Sequence, residues 1–415
     1  MQYTIVAPVH LDTTVSLPAS KSISNRALLI SAISGGEFIP ENLSDCDDTV
    51  VMIDALQRMP DTIDIKAAGT AMRFLTAYLA ATDGTHVITG TERMKQRPVG
   101  LLVDALRKLG ADIEYLGEEG YPPLKITGRK LRADNMLEMP GNISSQFVSA
   151  LLMIAPTLEK GLELKLTERL TSRPYIDLTL CMMKDYGAEA GWVSADMLKV
   201  APKPYVPRPM TVESDWSAAA FWYEIMALTQ DPHAEVRMEG LVDGSRQGDA
   251  VARYLFSLLG VKTKFATAQQ GVSTTVTLRS NGRTMPRLDY DFANQPDIAQ
   301  PLAVSCCLAG VKFCFKGLST LRIKETDRME ALKQEMCKLG YVLRAEGEDM
   351  LLWDGERCEA DIHPVINTYE DHRMAMSFAP VSLVLPEVSI AQPQVVSKSY
   401  PGFWDDLRKA GFTVS

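Results

Sequence analysis

The 415-residue chain lacks the features that mark several large functional classes. No run reaches the ~18 uncharged apolar residues that a membrane-spanning helix needs. The longest, FVSALLMIAPTL at 147–158, has the length of a buried helix. Basic stretches interleaved with aromatics are missing, and the net charge is −9, so nucleic acid is not expected as a partner. The seven cysteines (Cys46, Cys181, Cys306, Cys307, Cys314, Cys337 and Cys358) form no CxxC pair, and no histidine stands near them at zinc spacing. No metal site is expected, and the thiols read as reduced groups in a cytosolic core. The opening MQYTIVAPVHLD has neither the basic segment nor the apolar core of a secretory signal, so a cytoplasmic protein is expected. A GxxxxGK[ST] phosphate loop is also missing, which argues against a nucleotide-binding kinase.

What is present is ordinary globular composition, 46% hydrophobic and 23% charged, in a chain longer than one core normally serves. Two domains are therefore the default. An amphipathic stretch ending in glycine, followed by a strand-like run, recurs as VDALRKLG (103–110), LCMMKDYG (180–187), RYLFSLLG (253–260), KQEMCKLG (333–340) and WDDLRKAG (404–411). The followers are ADIEY, AEAGW, VKTKF, YVLRA and FTVS, and VVMIDALQRMP at 50–60 is a degenerate earlier copy. Glycine just past a periodic segment is a helix C-cap signal. A more apolar, small-residue helix precedes each copy: NRALLISAI, TAMRFLTAYLA, SSQFVSALLMIA, WSAAAFWYEIMA, DIAQPLAVSCCLA and HRMAMSFAPVSL. Six similar αβ units follow, best arranged as two domains of three.

Polar groups cluster where most of these apolar helices begin, and helix N-termini are natural anion sites. LPASKSISNRAL places Lys21, Ser22 and Arg26 there; AAGTAMRF offers Gly69, where an anion can approach the backbone. GNISSQF supplies Ser144, Ser145 and Gln146, and EDHRMAM supplies His372 and Arg373. NQPDIAQP is the exception, with the acid Asp297. Any one serine reads equally well as an N-cap, and any one cation as a solvated surface charge. Cations at helix starts oppose the dipole, however, so their repetition points to bound anions. Arg97 precedes an amphipathic helix, Ser172 and Tyr175 lie in TSRPYID, and Lys398 lies in VSKSYPGF. Lys324 and Arg328 in RIKETDRM are spaced to share a helical face, with Glu325 and Asp327 as possible simple partners in a salt-bridged helix start.

Taken in order, LPASKSISNRAL, GTAMR, RMKQRPVG, GNISSQF, SRPYIDLTL, NQPDIA, RIKETDRMEAL, YEDHRMAM and SKSYPGF resemble the pattern of the 5-enolpyruvylshikimate-3-phosphate synthase family over nearly the whole chain. The resemblance implies an inside-out α/β barrel of six βαβαββ-type units, three per domain. It divides the chain into 21–211 and 1–20 plus 212–415, with the active site in the cleft between the domains. It also implies transfer of the enolpyruvyl group of phosphoenolpyruvate to the 5-hydroxyl of shikimate 3-phosphate through a tetrahedral intermediate. That step belongs to the shikimate pathway, leading to chorismate and the aromatic amino acids. No cofactor is implied, a monomer is expected, and glyphosate would occupy the phosphoenolpyruvate site.

Position by position, Lys21, Ser22, Arg26, Ser144, Ser145, Gln146, Ser172, Tyr175, Asp297, Thr320 and Lys324 resemble the shikimate 3-phosphate contacts. Lys21, Gly69, Arg97, Gln146, Arg328, Arg373 and Lys398 resemble the phosphoenolpyruvate contacts. By the same resemblance Asp297 is the base for the hydroxyl. Glu325 is the leading proton shuttle, with Lys21 and Lys398 as relays, and His372 is a catalytic group or an orienting donor. Three residues depart from the family pattern: Ala67 for an asparagine, Phe74 for a proline after GTAMR, and Thr320 for an asparagine of some members. The sister enzymes acting on a UDP-sugar carry a lysine-asparagine pair near the start and a loop cysteine. This chain has SKSISNR, and no cysteine between Cys46 and Cys181. A non-catalytic anion binder would have no use for Asp297 and Glu325.

Overall fold

The computed structural model describes residues 1–36, 38–132, 135–267 and 269–415. In it the five recurrent glycines all end helices, and all take positive φ: Gly110 (96°), Gly187 (83°), Gly260 (87°), Gly340 (84°) and Gly411 (93°). The helices they close are Gly100–Lys108, Arg173–Asp185, Ala252–Ser257, Arg328–Lys338 and Phe403–Lys409. Around them the backbone turns back on the last helical carbonyls, as in Ala111 N to Leu106 O (3.0 Å) and Tyr341 N to Met336 O (2.9 Å). A Cβ in that left-handed conformation costs about 1–2 kcal/mol, which is why glycine recurs. The degenerate copy, helix Asp47–Arg58, ends instead on Met59 at φ 43°.

Each of five four-stranded sheets repeats one connectivity. Two strands with a buried helix between them in the chain pair in parallel (for Asp12–Ser16 and Glu235–Val242 the whole of Lys21–Val212 is also inserted between them), and two further strands add antiparallel. Thr62–Asp64, Gly84–Thr89, Leu124–Gly128 and Asp112–Tyr115 form one such sheet, with Ile63 opposite Ile88 and Ile126 opposite both His86 and Ile113. Equivalent parallel pairs are Met136–Pro140 with Leu162–Thr167, Arg287–Asp291 with Lys312–Lys316, Val365–Ile366 with Val388–Ala391, and Asp12–Ser16 with Glu235–Val242. Asp12–Ser16 alternates exposed and buried residues, as a strand with one solvated face must. Of the six units expected, the described residues build five sheets. The sixth is reduced to its helices and the isolated bridge between Glu41 and Thr211. YVLRA also joins its sheet late: Tyr341 only bridges Arg357, and pairing starts at Arg344.

Two units result, Met1–Ser20 with Glu213–Ser415, and Lys21–Val212. In the first, strand Gln2–Val6 sits between Val388–Ala391 and Thr413–Val414, so the N-terminus completes a sheet otherwise made from the C-terminus. Its core gathers around helices Trp216–Leu228, Ala299–Leu308 and His372–Phe378, with Trp222, Leu302 and Phe378 fully buried. The second unit buries Lys21–Ile33, Gly69–Ala81 and Ser145–Ile154 in the same way. A helix apolar all round belongs inside, so polar residues at the start of such a helix are carried inward with it. His372 and Arg373 are buried for that reason.

The expectation of core thiols needs correction. Cys46, Cys306 and Cys307 are buried, but Cys337 and Cys358 are exposed, because Cys337 falls on the solvent side of its helix and Cys358 in a surface segment. No described helix is long and apolar enough to cross a membrane.

The cap geometry makes opposite predictions at equivalent positions. Met59→Gly relieves a left-handed side chain and should stabilise the protein by roughly 1 kcal/mol. Gly260→Ala should destabilise it by more than that, because its Cβ would also lie 2.6 Å from the Arg283 carbonyl oxygen. Urea unfolding of the two variants beside the parent checks both signs.

Candidate active site

In the unit Met1–Ser20 with Glu213–Ser415, one buried guanidinium organises the polar groups. Arg328 opens helix Arg328–Lys338, where its charge opposes the dipole. Three carboxylates offset that: Nε donates to Asp371 Oδ2 (2.6 Å) and Nη2 to Asp371 Oδ1 (3.3 Å), Nη1 to Asp297 Oδ1 (2.9 Å), and Nη2 to Glu325 Oε2 (2.9 Å). Burial pulls the proton affinity of Arg328 down, but Asp371, Glu325 and Asp297 more than reverse this, so the guanidinium stays protonated. Asp297 is the second node. Arg373 reaches Oδ2 at 3.2 Å and donates to its backbone oxygen at 3.1 Å, while Lys324 Nζ stands 3.7 Å from Oδ1. Burial would raise the Asp297 carboxyl; Arg373, Lys324 and Arg328 outweigh it and hold the group well below the usual carboxylate range. Lys324 is lowered chiefly by burial, against the pull of Asp297. Glu325 links outward through Oε1, 2.8 Å from Lys398 Nζ.

Lys324 and Arg328 do not share a helical face. Lys324 follows the 3₁₀ turn Ser319–Ile323, and the helix starts only at Arg328, capped by Asp327, whose Oδ1 accepts from Met329 N and Glu330 N at 3.1 Å. Both still reach Asp297. Asp327 also pairs with Arg322 (2.9 Å), so the plain salt-bridged helix start is real for that acid. Thr320 lies in the same turn, and its buried hydroxyl has no hydrogen-bond partner among the described residues. His372 is buried, with Nδ1 3.7 Å from Asp371 Oδ1.

Asp371 is the residue that reading the sequence missed. Its Oδ1 accepts from Arg373 N (2.8 Å), capping helix His372–Phe378, while the same carboxylate grips Arg328. The only sequence signal was an acid at a helix start, which an ordinary cap explains.

In the unit Lys21–Val212, Lys21 opens helix Lys21–Ile33 with Nζ 3.5 Å from Asp48 Oδ2. Arg26, one turn on, is buried and donates to Ser22 O (2.9 Å), Thr179 Oγ1 (2.7 Å), Ser149 Oγ (3.4 Å) and Tyr175 O (3.3 Å). All four acceptors are neutral oxygens. Burial pulls its pKa down to about 10, with Tyr175 acting the other way. The Phe74 ring lies 5.4 Å from Arg26 Cζ, so this departure from the family pattern bears first on Arg26. Ser144 caps helix Ser145–Ile154, accepting from Gln146 N (3.3 Å), and Gln146 Nε2 donates to Thr70 Oγ1 (3.1 Å). Ser172 stands just before helix Arg173–Asp185 in the left-handed conformation, φ 57°, buried and making no capping hydrogen bond with its side chain. The Tyr175 carbonyl ties that helix to Arg26.

Gly69 begins helix Gly69–Ala81 under two guanidinium groups. A Cβ there would lie 2.8 Å from both terminal nitrogens of Arg97 and 2.9 Å from Arg73 Nη1. Arg73 was also missed, although GTAMR contains it. It donates to Gly69 O and Pro98 O, each at 3.0 Å, joining the helix start to the segment that carries Arg97. Ala67, another departure, is exposed beside this start.

Breaking a buried ion pair from one side costs about 3–5 kcal/mol, whereas an exposed pair is worth ~0–1 kcal/mol. Asp371→Asn, which keeps an oxygen for the cap but removes the charge under Arg328, should therefore lower unfolding free energy by about 3 kcal/mol. Asp405→Asn, at the exposed pair with Arg408, should change it by less than ~1 kcal/mol. Denaturant titrations of both variants measure the contrast.

Comparison with known proteins identifies the family. The profile of the family described as EPSP synthase (3-phosphoshikimate 1-carboxyvinyltransferase) matches residues 5–64 and 57–407. The chain is 56% identical to the 3-phosphoshikimate 1-carboxyvinyltransferase of Bacteroides fragilis (strain ATCC 25285), with 100% of this chain and 99% of that one aligned. With the enzyme of that name from Neisseria meningitidis serogroup B identity is 35%, covering 95% and 94%. Among solved structures, EPSP synthase from Acinetobacter baumannii superposes with a TM-score of 0.79 over the whole of both chains at 22% identity. The enolpyruvyl transferase NikO from Streptomyces tendae gives 0.71 at 14% identity, covering 100% of this chain and 98% of that one. With full-length identity of 56% to one such enzyme and the family profile matched from residue 5 to residue 407, this chain belongs to the EPSP synthase (3-phosphoshikimate 1-carboxyvinyltransferase) family.

Proposed function

We propose that this chain transfers the enolpyruvyl group of phosphoenolpyruvate to the 5-hydroxyl of shikimate 3-phosphate, using the two residue sets above for one reaction. The observation that carries the reading is the Asp297 carboxyl group beside Lys324, Arg328 and Arg373, with Glu325 bridging Arg328 and Lys398. Each substrate bears a phosphate and a carboxylate, so holding both together needs cations from several elements. Guanidinium groups suit them through bidentate contacts. Lys21, Ser22, Arg26, Ser144, Ser145, Gln146, Ser172, Tyr175, Thr320 and Lys324 are assigned to shikimate 3-phosphate. Arg26 supports this assignment because its hydrogen bonds among the described residues all go to neutral acceptors, leaving attraction for an anion. Lys21, Gly69, Arg97, Gln146, Arg328, Arg373 and Lys398 are assigned to phosphoenolpyruvate.

Addition requires a proton at carbon 3 and removal of the hydroxyl proton. Glu325 is suited to the first, since Lys398 at 2.8 Å can resupply it and Arg328 fixes its other oxygen. Asp297 is suited to the second, and its surroundings control when it acts. At rest the nearby cations hold it far below the usual range, which makes it a poor base. Anions bound to Arg373 and Lys324 draw off that field and raise its basicity once both substrates are in place. In the elimination Glu325 takes back the proton from carbon 3, the double bond re-forms as the bond from carbon 2 to the phosphate oxygen breaks, and the proton held by Asp297 passes to the leaving phosphate. Asp371 caps the helix start that presents Arg373, and His372 opens that helix beside it. The same reading takes the protein to act as a cytoplasmic monomer.

The decisive test is phosphate release, which should require both substrates. Asp297→Ala should cut turnover by roughly 100-fold or more, the usual contribution of a positioned base, while shikimate 3-phosphate affinity stays within a few-fold. Near-parental turnover would remove Asp297 from this role.

Gly69→Ala should keep the fold, because its Cβ meets side-chain ends that can swing aside. Moving Arg97 and Arg73, it should raise the KM for phosphoenolpyruvate about 10-fold and weaken competitive inhibition by glyphosate; an unchanged KM would show that Gly69 does not face the anion. Initial rates at varied phosphoenolpyruvate measure both effects.

A further inference from the structure

Cys337 and Cys358 are both exposed, and their sulfur atoms stand 3.5 Å apart. Cys337 is the last residue but one of helix Arg328–Lys338; Cys358 lies 21 positions on, after strand Met350–Trp353. The backbone between them is held from several sides. Cys358 N donates to Gly340 O (3.1 Å), Asp361 N to Lys338 O (2.8 Å) and Val342 N to Glu356 O (3.1 Å). The Arg357 guanidinium lies 3.7 Å from the Tyr341 ring centroid, and Cys358 Sγ reaches the Cys337 carbonyl oxygen at 3.3 Å. Neither thiol takes part in the reaction assigned above. A disulfide needs the sulfurs at about 2.05 Å, so the two sulfurs must move together from 3.5 Å to form one.

We infer that Cys337 and Cys358 form a redox-modification site that closes reversibly to an intramolecular disulfide. The oxidant is a low-molecular-weight disulfide. One protein thiolate attacks it, releasing one small thiol and leaving a mixed disulfide on the protein. The second thiolate then attacks the protein sulfur of that mixed disulfide, forming the Cys337–Cys358 bond and releasing the second small thiol. Two protein S–H groups are lost and two small thiols appear, and a small dithiol reverses the sequence. Partial desolvation, the neighbouring Cys337 and Asp361 push the Cys358 thiol up against the pull of Arg357, so closure speeds up as pH rises and more thiolate forms. Cys46, Cys306 and Cys307 are buried and their thiols pushed up by that burial, which keeps them out of the exchange. The closed bond would staple the C-terminal end of the helix that begins at Arg328 to the segment following strand Met350–Trp353.

Treating the full chain with oxidised glutathione, quenching with acid, and alkylating in denaturant before tryptic mass analysis reads the outcome. The expected result is a cross-linked pair of peptides, Gln334–Lys338 joined to Cys358–Arg373, two hydrogens lighter than the free peptides, and lost again on reduction with dithiothreitol. In Cys358→Ser, Cys337 should stop at the glutathione adduct. Alkylation of both thiols in the parent, separate glutathione adducts on each, or a disulfide between two copies would each overturn the assignment.

Discussion

The unit that holds Asp297 and Glu325 depends on how Arg328 is buried. A guanidinium at a helix start, with almost no solvent around it, is unfavourable on two counts: desolvation and the helix dipole. Asp371, Asp297 and Glu325 reverse both, and they come from three different stretches of chain. Because Asp297 and Glu325 answer to other cations as well, and Asp371 also caps a helix, moving any one of them disturbs its neighbours. The groups assigned to proton transfer are thus also the groups that keep a buried charge tolerable. Rigidity and chemistry share the same contacts.

The repeat makes this burial possible. Each unit of the repeat sends an apolar helix inward between two parallel strands, and the polar residues at its start travel with it. Helix Ala299–Leu308 carries Asp297 just ahead of it, and His372–Phe378 carries Arg373 in its first turn. Apolar burial of helices such as these, worth about 25 cal/mol per Å², therefore offsets the cost of placing charged groups where water is scarce. The glycine-capped amphipathic helices do the complementary work of turning the chain back into its sheet.

Much of this was legible in the residues. Periodicity and the glycine caps identified the helices, since only glycine takes left-handed φ cheaply. The reduced sixth unit was foreshadowed by Met59 standing where the other copies have glycine. Acids and bases near helix starts marked the site region, but their pairing was not readable. Lys324 was assigned to a helix that starts four residues later, because i, i+4 spacing says nothing about where hydrogen bonding begins. Asp371 was invisible as a partner of Arg328 because 43 positions separate them.

By itself, then, the sequence determined the local elements, the repeat, the family resemblance and the residue types available for anion binding and proton transfer. These depend on propensity, periodicity and short-range order, which are written along the chain. The tertiary structure alone decided which carboxylate answers which cation, that the hydrogen bonds of Arg26 among the described residues go to neutral oxygens, that Gly69 lies under Arg97 and Arg73, and that two of the seven cysteines meet at the surface. Those outcomes depend on distances between residues far apart in sequence, and only packing sets them.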